Sequence, residues 1–357
     1  MRFGFIGQAS AVWRSSSATL FTMNLAINGF GRIGRQALRI ILTKHPDIRC
    51  VLINDLTDGE TLAHLFEFDS TYGRFDCGGA CYKDGMLASK YGKIRTTACK
   101  DPLTLPYKEL KVDVVLECTG KFTKRDEAAL HLTAGAKKAI VSAPCKDTAD
   151  GTFCLGVNEE MYDPKTMHVI SNASCTTNSL APIAKVLDDA FGIVSGLMTT
   201  VHSYTNDQRI LDFPHKDWRR ARSAAENIIP TTTGAAKTVE LVIPTLKGKL
   251  NGLAIRVPTP TVSITDFVCV VEKKTTPEAV NAALRKAAEG KMKNILGVED
   301  KPLVSSDFRG DPRSSIVDSL STMVTNSSLV KVLAWYDNEW GYSNRLVELA
   351  KYIGERM

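Results

Sequence analysis

Short apolar runs alternate with stretches of helical spacing through the first part of the chain, and the pattern changes near residue 175. Leu25-Ala26-Ile27 forms a first run, Ala37, Leu38, Ile41 and Leu42 follow on one helical face, and Cys50 to Ile53 forms a second run. Val112 to Gly120 reads as a buried strand, Asp126 to Ala134 as a helix and Ala139 to Ser142 as another strand. Strands separated by helices are βαβ units, which predicts a parallel sheet up to about Pro144.

From Asn178 onward Leu180, Ile183, Ala184, Leu187 and Phe191 recur on one helical face, which places Cys175 at a helix N-terminus. Long strand-like runs then dominate: Val194 to His202, Leu253 to Val257, Val262 to Glu272 and Leu329 to Tyr336, with few helices such as Pro277 to Glu289 between them. A mostly antiparallel sheet with helices on one side is expected, an α+β unit. A last helix, Ser343 to Ile353, carries Leu346, Leu349, Ala350 and Ile353 on one face and is expected to return to the first unit.

Composition narrows the picture. At 357 residues the chain exceeds the ~250–300 residues at which a single core stops growing, so two domains are expected. Apolar residues make up 44% and charged residues 24%, as in globular proteins, and no apolar run approaches the ~18 residues of a membrane span. The net charge of +6 suits phosphorylated small molecules. A nucleic-acid reader would concentrate its basic residues in a stripe, so no dedicated nucleic-acid site is expected.

The nine cysteines are odd in number and scattered, which points to a reducing compartment without a disulfide framework. Cys77 and Cys81 lack a second ligand pair at zinc-like spacing, and no metal site is expected. Residues 1–23 hold Arg2, Arg14, several serines and no acidic residue, the composition of a transit segment. A cytoplasmic location is expected, with import into a mitochondrion or plastid through residues 1–23 as the other outcome. A plain tail, or a true start at Met23, fits that stretch equally well.

Two motifs carry chemistry. Asn28-Gly29-Phe30-Gly31-Arg32-Ile33-Gly34 reads G-x-G-x-x-G between an apolar run and a helical pattern. Its glycines permit a tight turn, close approach to a pyrophosphate and close helix packing. Asp55 ends the next run at the spacing of a carboxylate that binds ribose hydroxyls and repels a 2′-phosphate, which favours NAD over NADP. Thr119, Gly120 and Ser142 end or follow the later strands, where open α/β sheets bind ligands.

The second motif is Ser174-Cys175-Thr176. Hydroxyls surround a thiol at a helix N-terminus, where unpaired N–H groups favour the thiolate, so Cys175 is a candidate nucleophile. Of the six histidines, His202 ends a strand-like run and is the candidate base. His45 and His131 are expected on polar or helical faces, and His64, His168 and His215 lack a catalytic pattern nearby.

From Leu25 to Glu355 the chain resembles NAD-linked, phosphorylating glyceraldehyde-3-phosphate dehydrogenases. The matching motifs are Ile27 to Arg35, Ile53-Asn54-Asp55-Leu56, Ala173 to Asn178, His215 to Arg220, Pro230 to Lys237, Arg256 to Pro260 and Trp335 to Glu339. The resemblance implies a Rossmann-type NAD-binding domain at 24–174 after the 1–23 extension, an α+β catalytic domain at 175–337, and a 338–357 helix returning to the NAD-binding domain. It implies that Cys175 attacks the aldehyde of glyceraldehyde 3-phosphate, that His202 moves the proton, and that inorganic phosphate releases 1,3-bisphosphoglycerate from a thioester.

By the same resemblance Thr205 and Arg256 hold the substrate phosphate, and Ser174, Thr176, Thr233 and Gly234 hold the attacking phosphate. Either Arg219 or Arg220 lies in the matching loop. Arg32, Ile33, Asp55, Lys100, Ser142 and Asn338 contact NAD, with Tyr342 nearby. A homotetramer is implied, with residues 203–226 near a subunit interface. Many members of that family carry a second cysteine four residues after the nucleophile, where this chain has Ser179. Two alternatives stay open on the sequence: an erythrose-4-phosphate dehydrogenase of the same mechanism, or an NAD- or RNA-binding protein without catalysis.

Overall fold

The computed structural model describes residues 23–357; the targeting-segment expectation falls on residues 1–22, outside them, apart from Met23. In chain order the first unit comprises β1 (Met23–Asn28), α1 (Arg32–Lys44), β2 (Ile48–Asn54) and α2 (Gly59–Glu67). It continues with β3 (Cys81–Lys83), β4 (Met86–Ser89), β5 (Gly92–Thr97), β6 (Val114–Glu117), α3 (Arg125–Ala128), α4 (Leu130–Thr133), β7 (Lys138–Val141), β8 (Gly151–Thr152) and β9 (Val169–Ser171). These strands form one sheet in the order β3-β4-β5-β2-β1-β6-β7-β9-β8.

Every pairing from β5 to β8 is parallel, and only the β3–β5 meander is antiparallel. The strand order reverses between β1 and β6, so the loops leaving their carboxyl ends diverge there and open a crevice. Both strands are buried almost throughout, as a sheet covered on both faces requires.

The second unit runs α5 (Cys175–Phe191), β10 (Ile193–Ser203), β11 (Ile229–Thr232), α6 (Ala235–Val242), β12 (Leu250–Val257), β13 (Ser263–Val271) and α7 (Pro277–Glu289). It ends with β14 (Leu296–Glu299), β15 (Ser315–Asp318), β16 (Met323–Thr325), β17 (Leu329–Tyr336) and α8 (Trp340–Gly354). The sheet order is β11-β12-β10-β13-β17-β15-β14, with β16 on β17. Its pairings are antiparallel except β10 with β12 and β14 with β15. The expected α/β plus α+β architecture is present.

Leu180, Ile183, Ala184 and Leu187 of α5 pack with Phe267, Val332 and Ala334 in the second core. Leu346, Leu349, Ala350 and Ile353 of α8 join Leu38 and Ile41 of α1 in the first. Two helix boundaries differ from the sequence reading. The helix expected over 126–134 is two short ones, because the bond from Leu132 N–H to Ala129 C=O spans three residues and tightens the turn. α8 begins at Trp340 rather than Ser343, because the Asp337 carboxylate accepts the N–H groups of Glu339 and Trp340.

Candidate functional site

Cys175 is the first residue of α5. Ser174 caps that helix, its Oγ accepting the Thr177 N–H at 3.0 Å. The thiol is thereby held at the helix N-terminus, half-buried. His202 approaches from the penultimate position of β10, with Nε2 at 3.5 Å from Cys175 Sγ. The parallel register of β10 and β12 pairs His202 with Arg256. Arg256 Nη1 lies 2.6 Å from His202 Nδ1 and donates to Ser203 O at 2.9 Å.

Burial acts on both groups. It pushes the Cys175 thiol above its ordinary value, with the Arg256 charge and donors of Thr176 pulling the other way. Burial thus opposes the thiolate that the helix N-terminus favours. Burial and the Arg256 cation push His202 down to about 3.

Thiol and imidazole face a cavity of about 150 Å³ lined also by Ser174, Thr176, Thr233, Gly234 and Arg256. Of the residues expected to bind substrate or phosphate, those five reach the cavity wall beside Cys175. Thr205, Arg219 and Arg220 do not line it. Arg220 bonds Asp207 and, at 3.0 Å, Thr231 Oγ1, and its charge still reaches His202; Arg219 is exposed.

Thr200 and Thr232, also in the wall, were missed by the sequence reading. Strand alternation points Thr200 to the same face as His202, a signal available from spacing alone. Tyr336 OH bonds the hydroxyls of Thr176 at 2.9 Å and Thr200 at 2.7 Å, tying β17 to the cavity floor.

A second cavity, about 470 Å³, opens at the β1/β6 crevice and is lined by Asn28, Gly29, Gly31, Asp55, Lys100 and Thr119. Asn54, Cys99, Cys118 and Phe122 lie in the same wall and were not anticipated. Gly29 has φ +93°, and a Cβ there would lie 2.6 Å from Thr119 N, whereas a Cβ on Gly31 would meet nothing within 4 Å. The first glycine thus lets the β1 and β6 loops touch, and the second leaves open space at the α1 N-terminus. No side chain caps that terminus and no acidic residue occupies its first turn. Unpartnered amides facing an open cradle fit a pyrophosphate, and Asp55 lies in the same wall for a ribose. The Asp55 carboxylate also braces the loop, for Oδ2 accepts the Phe30 N–H at 2.7 Å and Oδ1 the Thr57 N–H at 2.9 Å.

Arg32, Ile33, Gly34, Gly120, Ser142, Asn338 and Tyr342 do not line this cavity. The Arg32 guanidinium is drawn away by Asp69 and Glu339 at 2.5 Å each. Gly34 instead permits close packing, since a Cβ there would meet Gly29 O at 2.2 Å. Asn338 Oδ1 accepts from Ser263 Oγ at 3.1 Å, and Tyr342 OH donates to Ala173 O at 3.1 Å, just before Cys175. Ser142 N–H donates to Glu117 O at 2.9 Å. Ser179, four residues after Cys175, is buried and bonds Thr265 Oγ1 at 3.0 Å.

Residues 23–125 match the family model described as glyceraldehyde 3-phosphate dehydrogenase, NAD binding domain, and residues 174–338 match its C-terminal domain. The chain is 59% identical over 335 residues to the glyceraldehyde-3-phosphate dehydrogenase of Geobacillus stearothermophilus, covering 94% of this chain and 99% of that protein. It is 57% identical to that of Priestia megaterium and 56% identical to glyceraldehyde-3-phosphate dehydrogenase 1 of Bacillus subtilis, each with the same coverage. On matches that cover both sheets and both cavities, the chain belongs to the glyceraldehyde-3-phosphate dehydrogenase family.

Proposed function

We propose that Cys175 and His202 carry out the NAD-dependent, phosphorylating oxidation of glyceraldehyde 3-phosphate to 1,3-bisphosphoglycerate, a glycolytic step. The observation that carries this reading is the 3.5 Å contact between Cys175 Sγ and His202 Nε2 at one small cavity ringed by hydroxyls and a guanidinium. Cys175 adds through sulfur to the aldehyde carbon, and its proton passes by way of His202 Nε2 to the carbonyl oxygen, giving a hemithioacetal. Bound NAD supplies the hydride acceptor. His202 withdraws the hydroxyl proton as the C–H bond breaks, leaving a thioester on Cys175. A phosphate oxygen then forms a bond to the thioester carbon, the carbon–sulfur bond breaks, and the sulfur recovers its proton.

Ser174, Thr176, Thr233 and Gly234, which line that cavity, hold the attacking phosphate. Arg256, beside His202, takes the substrate's own phosphate together with Thr205. Asp55, Gly29, Gly31, Lys100 and Thr119 hold the dinucleotide, and Asn338 the nicotinamide end. Nine free thiols fit a reducing compartment, the cytoplasm. Among the described residues no helix is long and apolar enough to cross a membrane.

A homotetramer is part of this reading. Ile210, Leu211, Phe213 and Trp218, in the 203–226 segment, are 64–86% exposed, and Leu197, Leu253 and Val270 leave an apolar face open on the second sheet. Exposed apolar side chains there support an interface between copies of the chain. The deciding experiment is NADH formation with aldehyde, NAD and phosphate, using wild type and Cys175→Ser. The variant is expected to lose at least about a thousandfold in turnover while still binding NAD. Retained turnover would remove the nucleophile assignment, and equal efficiency with erythrose 4-phosphate would remove the substrate.

A further inference from the structure

Behind the glycine loop lies a chain of buried polar groups that the reaction steps do not use. Glu117, at the end of β6, is 1% exposed, and His131 on α4 and Tyr107 are fully buried. His131 was expected on a polar or helical face; it is helical, but it points into the protein. Glu117 Oε2 accepts from Asn28 Nδ2 at 2.6 Å and lies 3.0 Å from His131 Nε2. Glu117 Oε1 accepts the Thr119 N–H at 2.7 Å and also the Thr119 hydroxyl. Tyr107 OH lies 3.1 Å from His131 Nδ1. One consistent set of protons satisfies the chain: the phenol donates to Nδ1, Nε2–H donates to the carboxylate, and the carboxylate accepts at both oxygens.

Asn28 and Thr119 are where this chain meets the dinucleotide cavity, for both line its wall. They flank the point where Gly29 touches the β6 loop. One carboxylate therefore bonds both sides of the crevice and sets how far apart they stand.

We propose that Glu117, oriented by His131 and Tyr107, is a positioning residue for dinucleotide binding that fixes the β1 and β6 loops at the separation the pyrophosphate requires. The inference rests on the NAD assignment above. A carboxylamide cannot replace the carboxylate, since one of its ends becomes a donor and must face either the Thr119 N–H or the Asn28 and His131 donors.

The test uses the full chain with Glu117→Gln, His131→Leu, His131→Gln and Tyr107→Phe. Glu117→Gln and His131→Leu are expected to raise the NAD dissociation constant and the KM for NAD by about tenfold or more. kcat at saturating NAD, and alkylation of Cys175 by iodoacetamide without NAD, should stay within about twofold. Tyr107→Phe should shift NAD affinity in the same direction by less. His131→Gln, which returns an N–H to Glu117, should recover most of it. A merely structural role would lower the unfolding midpoint and the active fraction, hence kcat, and leave the KM for NAD unmoved; that result overturns the proposal. Should Glu117→Gln fail to fold, Tyr107→Phe, which deletes one oxygen, decides by the same KM-against-kcat split. A wild-type chain unable to bind NAD would overturn the cofactor assignment instead.

Discussion

His202 Nε2 lies 3.5 Å from Cys175 Sγ, in surroundings where burial disfavours a charge on either group alone. Ionising the thiol into solvent leaves a buried thiolate that only the Arg256 charge offsets, and protonating the imidazole from solvent sets a second cation beside Arg256. Moving the proton from sulfur to Nε2 creates both charges together at contact distance, and that exchange is the route the geometry leaves open.

Replacing His202 by Asn should therefore remove the proton's destination. Alkylation of Cys175 at pH 7 is expected to fall at least about tenfold, and kcat by about 10²–10⁴. The sign of the pH dependence follows from the upward push on the thiol. In the variant the thiolate fraction should grow only as pH climbs past the ordinary thiol value of about 8.5. Iodoacetamide rates measured from pH 6 to 10 check this. A variant as reactive as wild type at pH 7 would show that the helix terminus alone activates the sulfur.

Under the proposed reading Asp55 joins specificity to loop geometry, because the carboxylate assigned to the ribose also accepts the Phe30 N–H inside the glycine motif. Asp55→Ala should loosen that loop and weaken NAD about tenfold, while removing the repulsion that excludes a 2′-phosphate. Asp55→Asn keeps an acceptor and loses the charge, so it should bind NAD better than the alanine variant and still accept NADP more readily than wild type. Kinetics with both dinucleotides decide the matter, and an unmoved NAD-to-NADP preference would place the ribose contact elsewhere.

Ser174 has two duties that one substitution exposes. Its Oγ caps α5 through the Thr177 N–H and meets Thr177 Oγ1 at 2.7 Å, while lining the cavity beside Cys175. Ser174→Ala should cost about 1 kcal/mol of stability and lower the unfolding midpoint by about 1–2 °C. The KM for phosphate should rise in the same variant. A Ser174→Thr substitution restores the cap, so a phosphate KM that stayed raised in it, with the midpoint recovered, would separate the duties. Loss of stability with an unchanged phosphate KM would limit Ser174 to capping.

What was legible in the sequence was whatever a local period or a glycine could announce. Leu180, Ile183, Ala184 and Leu187 gave the α5 face, and the position of Cys175 before it gave the helix start. Gly29 and Gly34 announced backbone contacts that any Cβ would block. What stayed hidden depends on pairs far apart in the chain. Nothing near His202 declares that β12 will run parallel to β10 in a register that sets Arg256 beside it. Likewise the bond between Glu117 and His131 joins a strand end to a helix through a contact no periodicity encodes. The burial that pushes the Cys175 thiol up was equally hidden, because desolvation is a property of the packed surroundings and not of the helix terminus.

The two glycines of the dinucleotide loop supply the sharpest contrast between folding and binding. Gly29 has φ +93°, and its added Cβ would collide with the backbone of Cys118 and Thr119 at 2.6–2.8 Å. Backbone cannot step aside as a flexible side chain does, so Gly29→Ala must part the β1 and β6 loops as well as bear a left-handed φ. A destabilisation of several kcal/mol is expected, on the order of the strain and overpacking costs combined. Gly31 has neither constraint: its φ is −73°, and a Cβ there meets nothing within 4 Å. Gly31→Ala should leave the unfolding midpoint within about a degree or two of wild type while placing a methyl group in the space left for the pyrophosphate. Its signature is thus a raised KM for NAD at unchanged stability, whereas Gly29→Ala loses both. Thermal unfolding alongside NAD titration measures the pair, and an undisturbed KM in Gly31→Ala would mean that the phosphates do not cross the α1 N-terminus at all.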